Sequence, residues 1–260
     1  MQISATVAQF PIGWDLEANL AAITAALGQA RPGDLVVLPE AAVSGYGPDL
    51  AERLGSLDAA RIDRAVDQIG ELARRYRIDV CCGSLLYERG GWWNAAVFLG
   101  AGGERWVYRK INLARIEQGV LCAGASLPLL TVQRGEADVA IGVQLCREIR
   151  YPEQWQQLAR SGAQVFVYPT NAAHRGTPAG VWRSHLVSRA AENQRYLLAA
   201  NLADPDQHCP TMAISPHGEV LGELAAGETG VLHLTLDLAK VSDGNLDQQR
   251  RDVVSLHYTG

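Results

Sequence analysis

Short apolar runs alternate with stretches of helical period along most of the chain, and this alternation limits the possible fold more than any other feature. Residues 3–10, 35–38, 80–86, 139–145, 164–168 and 196–201 read as strands, and most are apolar at successive positions. A strand that is apolar on both faces must be covered on both sides. The segments between them are amphipathic. Asp15 is placed to cap a helix from Leu16 to about Gln29, with Leu16, Leu20, Ile23 and Leu27 on one face. Asp58 is placed to cap another reaching about Tyr76, with Ile62, Val66, Ile69 and Ala73 in register. Pro152 suits the first turn of a helix through Arg160, and residues 180–193 read as the next helix. Residues 93–99 and 106–109 flank Ala101-Gly102-Gly103-Glu104, a hairpin turn. Strands at 210–215, 220–224 and 231–236 follow, and a last helix is expected over about 237–249. Helices between strands, together with hairpins, imply a layered α/β unit with either a mixed sheet or two packed sheets. No linker or solenoid repeat interrupts the pattern, so residues 1–260 are expected to form one domain. The tail from about residue 250 has no pattern and is expected to pack on a partner subunit.

Composition excludes several classes. The 23 basic and 28 acidic residues give a net charge of −5, without the basic excess of a nucleic-acid binder. Hydrophobic residues make up 48% and charged ones 20%, which is globular and not disordered. No apolar run reaches the roughly 18 residues of a membrane helix. Met1-Gln2-Ile3-Ser4 does not open a secretory leader, so the five cysteines are expected to be reduced thiols in a cytoplasmic chain. No histidine pair shows ligand spacing with a carboxylate, and residues 100–103 lack the ending of a phosphate loop. Neither a metal nor a cofactor is expected.

Three reactive groups each sit just past a buried strand, where a rigid scaffold can present side chains. They are Glu40 after Leu38-Pro39, Lys110 after Val107-Tyr108-Arg109, and Cys146 after Ile141-Gly142-Val143-Gln144-Leu145. Singly, each has an ordinary reading: a solvated carboxylate, a surface lysine, a buried thiol. Together they form an acyl-transfer set. A carboxylate can take the thiol proton, and an ammonium can hold the oxyanion of a tetrahedral intermediate. Cys146 lies between a strand and a helix start, where backbone N–H groups can join that role. Cys81, Cys82 and Cys209 fall in strand patterns and read as structural thiols, while Cys122, in a loop, stays undecided between a structural thiol, the favoured reading, and a reactive one. A Cys–His pair of Cys146 with His174 or His185 is the competing enzyme reading, but it leaves Glu40 and Lys110 without a role.

In these segments the chain resembles the nitrilase superfamily of carbon–nitrogen hydrolases. The segments Leu38-Pro39-Glu40-Ala41-Ala42-Val43-Ser44-Gly45-Tyr46, Tyr108-Arg109-Lys110-Ile111-Asn112-Leu113 and residues 142–153 around Cys146 are similar to the family's three catalytic segments, in the family's order. Trp93-Asn94-Ala95-Ala96-Val97, Arg189-Ala190-Ala191-Glu192-Asn193 and Ala199-Ala200-Asn201 are supporting matches. The resemblance implies Glu40 as base, Lys110 as catalytic lysine and Cys146 as nucleophile. It also implies a second glutamate shortly after the lysine, best matched by Glu117. It further implies a four-layer α-β-β-α sandwich and a homodimer or higher homo-oligomer. Tyr46, Arg147 and Asn171 are expected to line the substrate pocket. Arg147-Glu148 departs from the aromatic-acidic pair common after the family's cysteine, and Pro169-Thr170-Asn171-Ala172 lacks the usual tryptophan. The expected reaction is hydrolysis of a small amide to acid and ammonia through a cysteine thioester. Nitrile or carbamoyl hydrolysis is the alternative within the family, and a catalytically silent binding protein the alternative outside it.

Overall fold

The computed structural model describes residues 1–135, 137–173 and 180–259. Strands β1 (Gln2–Gln9), β2 (Leu35–Val37), β3 (Asp79–Glu88), β4 (Gly91–Leu99) and β5 (Arg105–Arg109) occupy the first half. The second half holds β6 (Leu129–Arg134), β7 (Ala137–Val143), β8 (Val165–Pro169), β9 (Tyr196–Ala200), β10 (Met212–Ile214), β11 (Val220–Glu223) and β12 (Gly230–Asp237). Helices α1 (Leu16–Leu27), α2 (Leu50–Arg53), α3 (Ala59–Tyr76), α4 (Pro152–Arg160), α5 (Val181–Asn193) and α6 (Gly244–Asp247) complete the described elements. Two mixed six-stranded sheets result, in the orders β12-β1-β2-β3-β4-β5 and β11-β10-β9-β8-β7-β6. Within them β1, β2 and β3 run parallel, as do β7, β8 and β9.

Strand period two decides which layer each side chain joins. In the first sheet Leu35, Val37, Cys81, Ala96 and Phe98 face the core shared with the second sheet. Their neighbours Val36, Val80, Cys82, Ala95 and Val97 face the opposite way, onto Ile23 and Leu27 of α1 and Ile62, Val66 and Ile69 of α3. On the second sheet, Trp155 of α4 meets Phe166 of β8 edge-on at 5.1 Å. The layers are therefore helix, sheet, sheet, helix: the expected four-layer α-β-β-α sandwich. Asp15 and Asp58 both act as helix caps, accepting N–H bonds from Glu17 and Ala18 and from Arg61. No helix among the described residues is long and apolar enough to cross a membrane.

Three local expectations are corrected. The single helix expected over 237–249 is a 3-10 turn at Leu238–Lys240 and the short α6. Arg195, almost fully buried, holds the Ser242 carbonyl and the Asp243 carboxylate, which keeps the intervening residues out of a helix. The sequence pattern did not reveal β6, because this edge strand has exposed Thr131 and Gln133. Cys209 is buried in the connection before β10 and not in a strand. The tail from 250 exposes Val253, Val254 and Leu256, while the Tyr258 hydroxyl accepts the Leu127 N–H.

One glycine is essential to how the first sheet meets the site. A Cβ on Gly83 of β3 would lie 2.3 Å from Ala41 N and 2.4 Å from Glu40 Cα. Backbone cannot yield at that distance, so only glycine lets β3 pass beneath the Glu40 turn. Gly83 also donates to the Pro39 carbonyl and accepts from Val43 N–H, fastening that turn. G83A is expected to lower stability by about 1–3 kcal/mol, as overpacking does. Urea unfolding of the two proteins measures the difference, and unchanged stability would show that the turn moves freely.

Candidate active site

Glu40 follows β2 in a turn that reaches across to the second sheet. Its backbone N–H donates to the Thr170 carbonyl at 3.2 Å, just past β8. Asn171 N–H donates to Glu40 Oε2 at 3.0 Å. The other carboxylate oxygen, Oε1, accepts from Lys110 Nζ and from Asn94 Nδ2, each at 2.8 Å. Both strand ends lie at the carboxyl edge of parallel strands, the usual place for a site in open α/β sheets.

Lys110 ends β5, with its N–H bonded to the Asn94 carbonyl of β4. The next residues turn back, and Glu117 N–H closes onto the Ala114 carbonyl. That reversal brings the Glu117 carboxylate to within 3.0 Å of Lys110 Nζ. Asn94 Nδ2 donates to Glu117 as well as to Glu40. Glu40, Lys110 and Glu117 are all fully buried. Glu117, in the turn after β5, is thus a buried second carboxylate on the Lys110 ammonium.

Cys146 starts a 3-10 turn, Cys146–Arg150, separated by two residues from the end of β7 at Val143. Its φ is +38°, a left-handed value that costs a residue with a Cβ about 1 kcal/mol or more. Several bonds impose it. Tyr168 OH donates to the Cys146 carbonyl. Arg189 of α5 donates twice to the Ile149 carbonyl, at 2.8 and 3.1 Å. Trp155 Nε1 donates to the Glu148 carbonyl at 2.9 Å. The first N–H groups of such a turn have no acceptor inside it, which leaves Arg147 N–H open.

Burial sets the electrostatics. It pushes the Glu40 carboxyl above the usual carboxylate value, against the pull of Lys110. Burial alone would lower the Lys110 ammonium, but Glu40 and Glu117 override it and hold it well above its usual value. Burial also pushes the Cys146 thiol up to about 12; Glu40 adds to this and Lys110 opposes it. At rest Cys146 is therefore a neutral thiol beside a carboxylate and an ammonium.

The remaining expected residues lie around this group. Burial holds the Tyr46 phenol well above its usual value, with the Lys110, Glu117 and Glu40 charges close enough to act on it. Arg147 is half-buried on the turn and makes no side-chain hydrogen bond or ion pair among the described residues. Asn171 holds Glu40 through its backbone N–H and reaches the Glu40 carbonyl with Nδ2 at 3.4 Å. His185 sits on α5 and has no hydrogen bond to Cys146, and His174 lies outside the described residues. Sequence reasoning missed the dual donor role of Asn94 and the buried Glu148. The match of Trp93-Asn94 to the family segment was the available signal for the first.

The chain is similar to known proteins over most of its length. The family model described as carbon-nitrogen hydrolase matches residues 4–244. An omega-amidase of Danio rerio is 30% identical over 246 residues, covering 86% of this chain and 85% of the relative. An (R)-stereoselective amidase of Pseudomonas sp. is 27% identical over 242 residues, covering 90% and 84%. Among solved structures, a double mutant of the amidase from Nesterenkonia sp. AN1 in complex with acrylamide superposes with a TM-score of 0.80. It is 23% identical, and the match covers 97% of this chain and 95% of that one. A superfamily protein of Xanthomonas campestris with an arsenic adduct in its active site also reaches 0.80, at 21% identity and 95% coverage of both chains. The chain belongs to the carbon–nitrogen hydrolase family.

Proposed function

We propose that this enzyme hydrolyses a small amide to its acid and ammonia through a thioester on Cys146. One observation carries the reading. An ammonium has three N–H donors. Lys110 spends one on Glu40 and one on Glu117, which leaves a third for an oxyanion beside Cys146.

The steps follow from the protonation states. Glu40 takes the thiol proton as sulfur attacks the amide carbon. The third Lys110 hydrogen and Arg147 N–H hold the oxyanion. Protonated Glu40 passes its proton to the leaving nitrogen, the C–N bond breaks, and ammonia departs. Water, deprotonated by Glu40, then attacks the thioester, and the thiol is restored as the acid leaves. Glu117 keeps Lys110 aimed, and Tyr46, Arg147 and Asn171 border the acyl group. The reading extends to a cytoplasmic homodimer whose tail packs on the partner, supported by the exposed Val253, Val254 and Leu256.

Ammonia release from a panel of short aliphatic amides tests the reaction. The wild type is expected to turn over at least one amide, and C146A none. Added hydroxylamine should divert the thioester to a hydroxamate. Acid formation without any hydroxamate would exclude the covalent route.

E117Q keeps the shape and removes the charge that aims Lys110. Losing about 3 kcal/mol of transition-state stabilisation is on the order of a hundredfold in rate. The expected result is a kcat/KM lower by about that factor, with a thermal melt confirming the fold. Near-normal activity would remove Glu117 from the mechanism.

The base must be ionised to work, and burial raises its pKa. Activity should therefore fall, as pH drops, at a value above the ordinary carboxylate range of about 4.3. The nucleophile is neutral in the resting state, so the profile should show no step near the ordinary thiol value of about 8.5. A kcat/KM profile against pH checks both, and a rise centred at 8.5 would mean that a free thiolate is the attacking species.

A further inference from the structure

Glu148 is a fully buried carboxylate that the mechanism does not use. It forms no ion pair with any Lys or Arg among the described residues, and neutral donors hold it. Its Oε1 accepts from Tyr108 OH at 2.8 Å, Ile111 N at 2.8 Å and Asn112 N at 3.1 Å. Its Oε2 accepts from Leu145 N at 2.8 Å. A carboxylate buried without a cationic partner carries a heavy desolvation cost, and four directed donors are needed to offset it.

The placement of those donors gives the group its meaning. Ile111 and Asn112 directly follow Lys110, and Leu145 directly precedes Cys146. Tyr108 lies two residues before Lys110 on β5 and also receives Gln144 Nε2 at 3.2 Å. One side chain therefore ties the end of β5, in the first sheet, to the end of β7, in the second. Glu40 and Glu117 set the direction of the Lys110 ammonium, but neither fixes the backbone of Lys110 relative to that of Cys146. Resting on the amidase reading above, we propose that Glu148 is a positioning residue whose carboxylate sets the distance between the Lys110 ammonium and the Cys146 sulfur. A misplacement of about 1 Å in such a pair is worth on the order of a hundredfold in rate.

E148Q tests this, because glutamine keeps the size but turns one acceptor into a donor facing an N–H. The expected outcome is a kcat about tenfold or more lower with KM within about twofold, in protein that melts cooperatively. A kcat within about threefold of wild type, or a loss confined to KM, would overturn the proposal. So would a loss that matches the unfolded fraction. If E148Q does not fold, Y108F removes one donor and leaves the carboxylate. Its kcat should fall with KM unchanged, and an unaltered kcat would overturn the proposal. Iodoacetamide labelling separates failure here from failure of the amidase reading. The rate at Cys146 relative to Cys122, read by peptide mapping, should change in whichever variant folds, because the thiol no longer meets Glu40 and Lys110 at the wild-type distance. Should the wild type hydrolyse no amide, this ratio still decides on Glu148, and an unchanged ratio would count against it.

Discussion

One ammonium shared by two carboxylates, with no solvent on any of the three, is the interaction around which the molecule is organised. Removing any one of these charges from water is expensive, and the cost is offset only by partners in good geometry. Lys110 supplies the counter-charge, and Asn94 adds neutral donors to both carboxylates. The Asn171 and Ala114 N–H groups fill the remaining acceptor positions. Removing one member would strand the others, so the cluster is held as a unit and its geometry is pre-set before a substrate arrives.

The two-sheet sandwich makes that cluster possible. Glu40, Asn94 and Lys110 come from the first sheet and its strand ends, while Cys146 and Asn171 come from the second. Packing the inner faces of the sheets onto one apolar core fixes the separation of those strand ends without any residue of the site doing so. Polar links then adjust it. Glu40 N–H reaches the Thr170 carbonyl, and Glu148 reaches from the Cys146 turn to the residues after Lys110. Gly83 removes the one Cβ that would push the Glu40 turn away from this seam.

Strands, helices and the three reactive segments were legible because each carries a local pattern. Asp58 and its helix, or the apolar run before Cys146, need only nearby residues to be recognised. Glu117 was legible from its spacing after Lys110, within a family resemblance. Glu148 was not, because a carboxylate in the run Arg147-Glu148-Ile149-Arg150 looks like a surface charge, and three of its four donors come from residues 36 to 40 positions away. Gly83 was hidden for the same reason: nothing near it in the sequence announces the Glu40 turn that crosses above it. The C-terminal helix failed where Arg195, about 48 residues earlier, captures Asp243. In each case a contact with residues distant in the sequence decided what local propensity could not.

Burial that holds Cys146 as a thiol also bears on how such a site survives. Thiolates are the forms that react with oxidants and adventitious electrophiles. A thiol whose ionisation is pushed up to about 12 reacts more slowly than an ordinary one while the site is empty. The proposed acceptor of its proton is the Glu40 carboxylate, whose own affinity for protons is raised by the same burial. The transfer is therefore closely matched only when negative charge can move on to an oxyanion at Lys110. On this reading the strained turn, the double carboxylate and the buried lysine do one thing together: they make thiol ionisation depend on the presence of a carbonyl to attack.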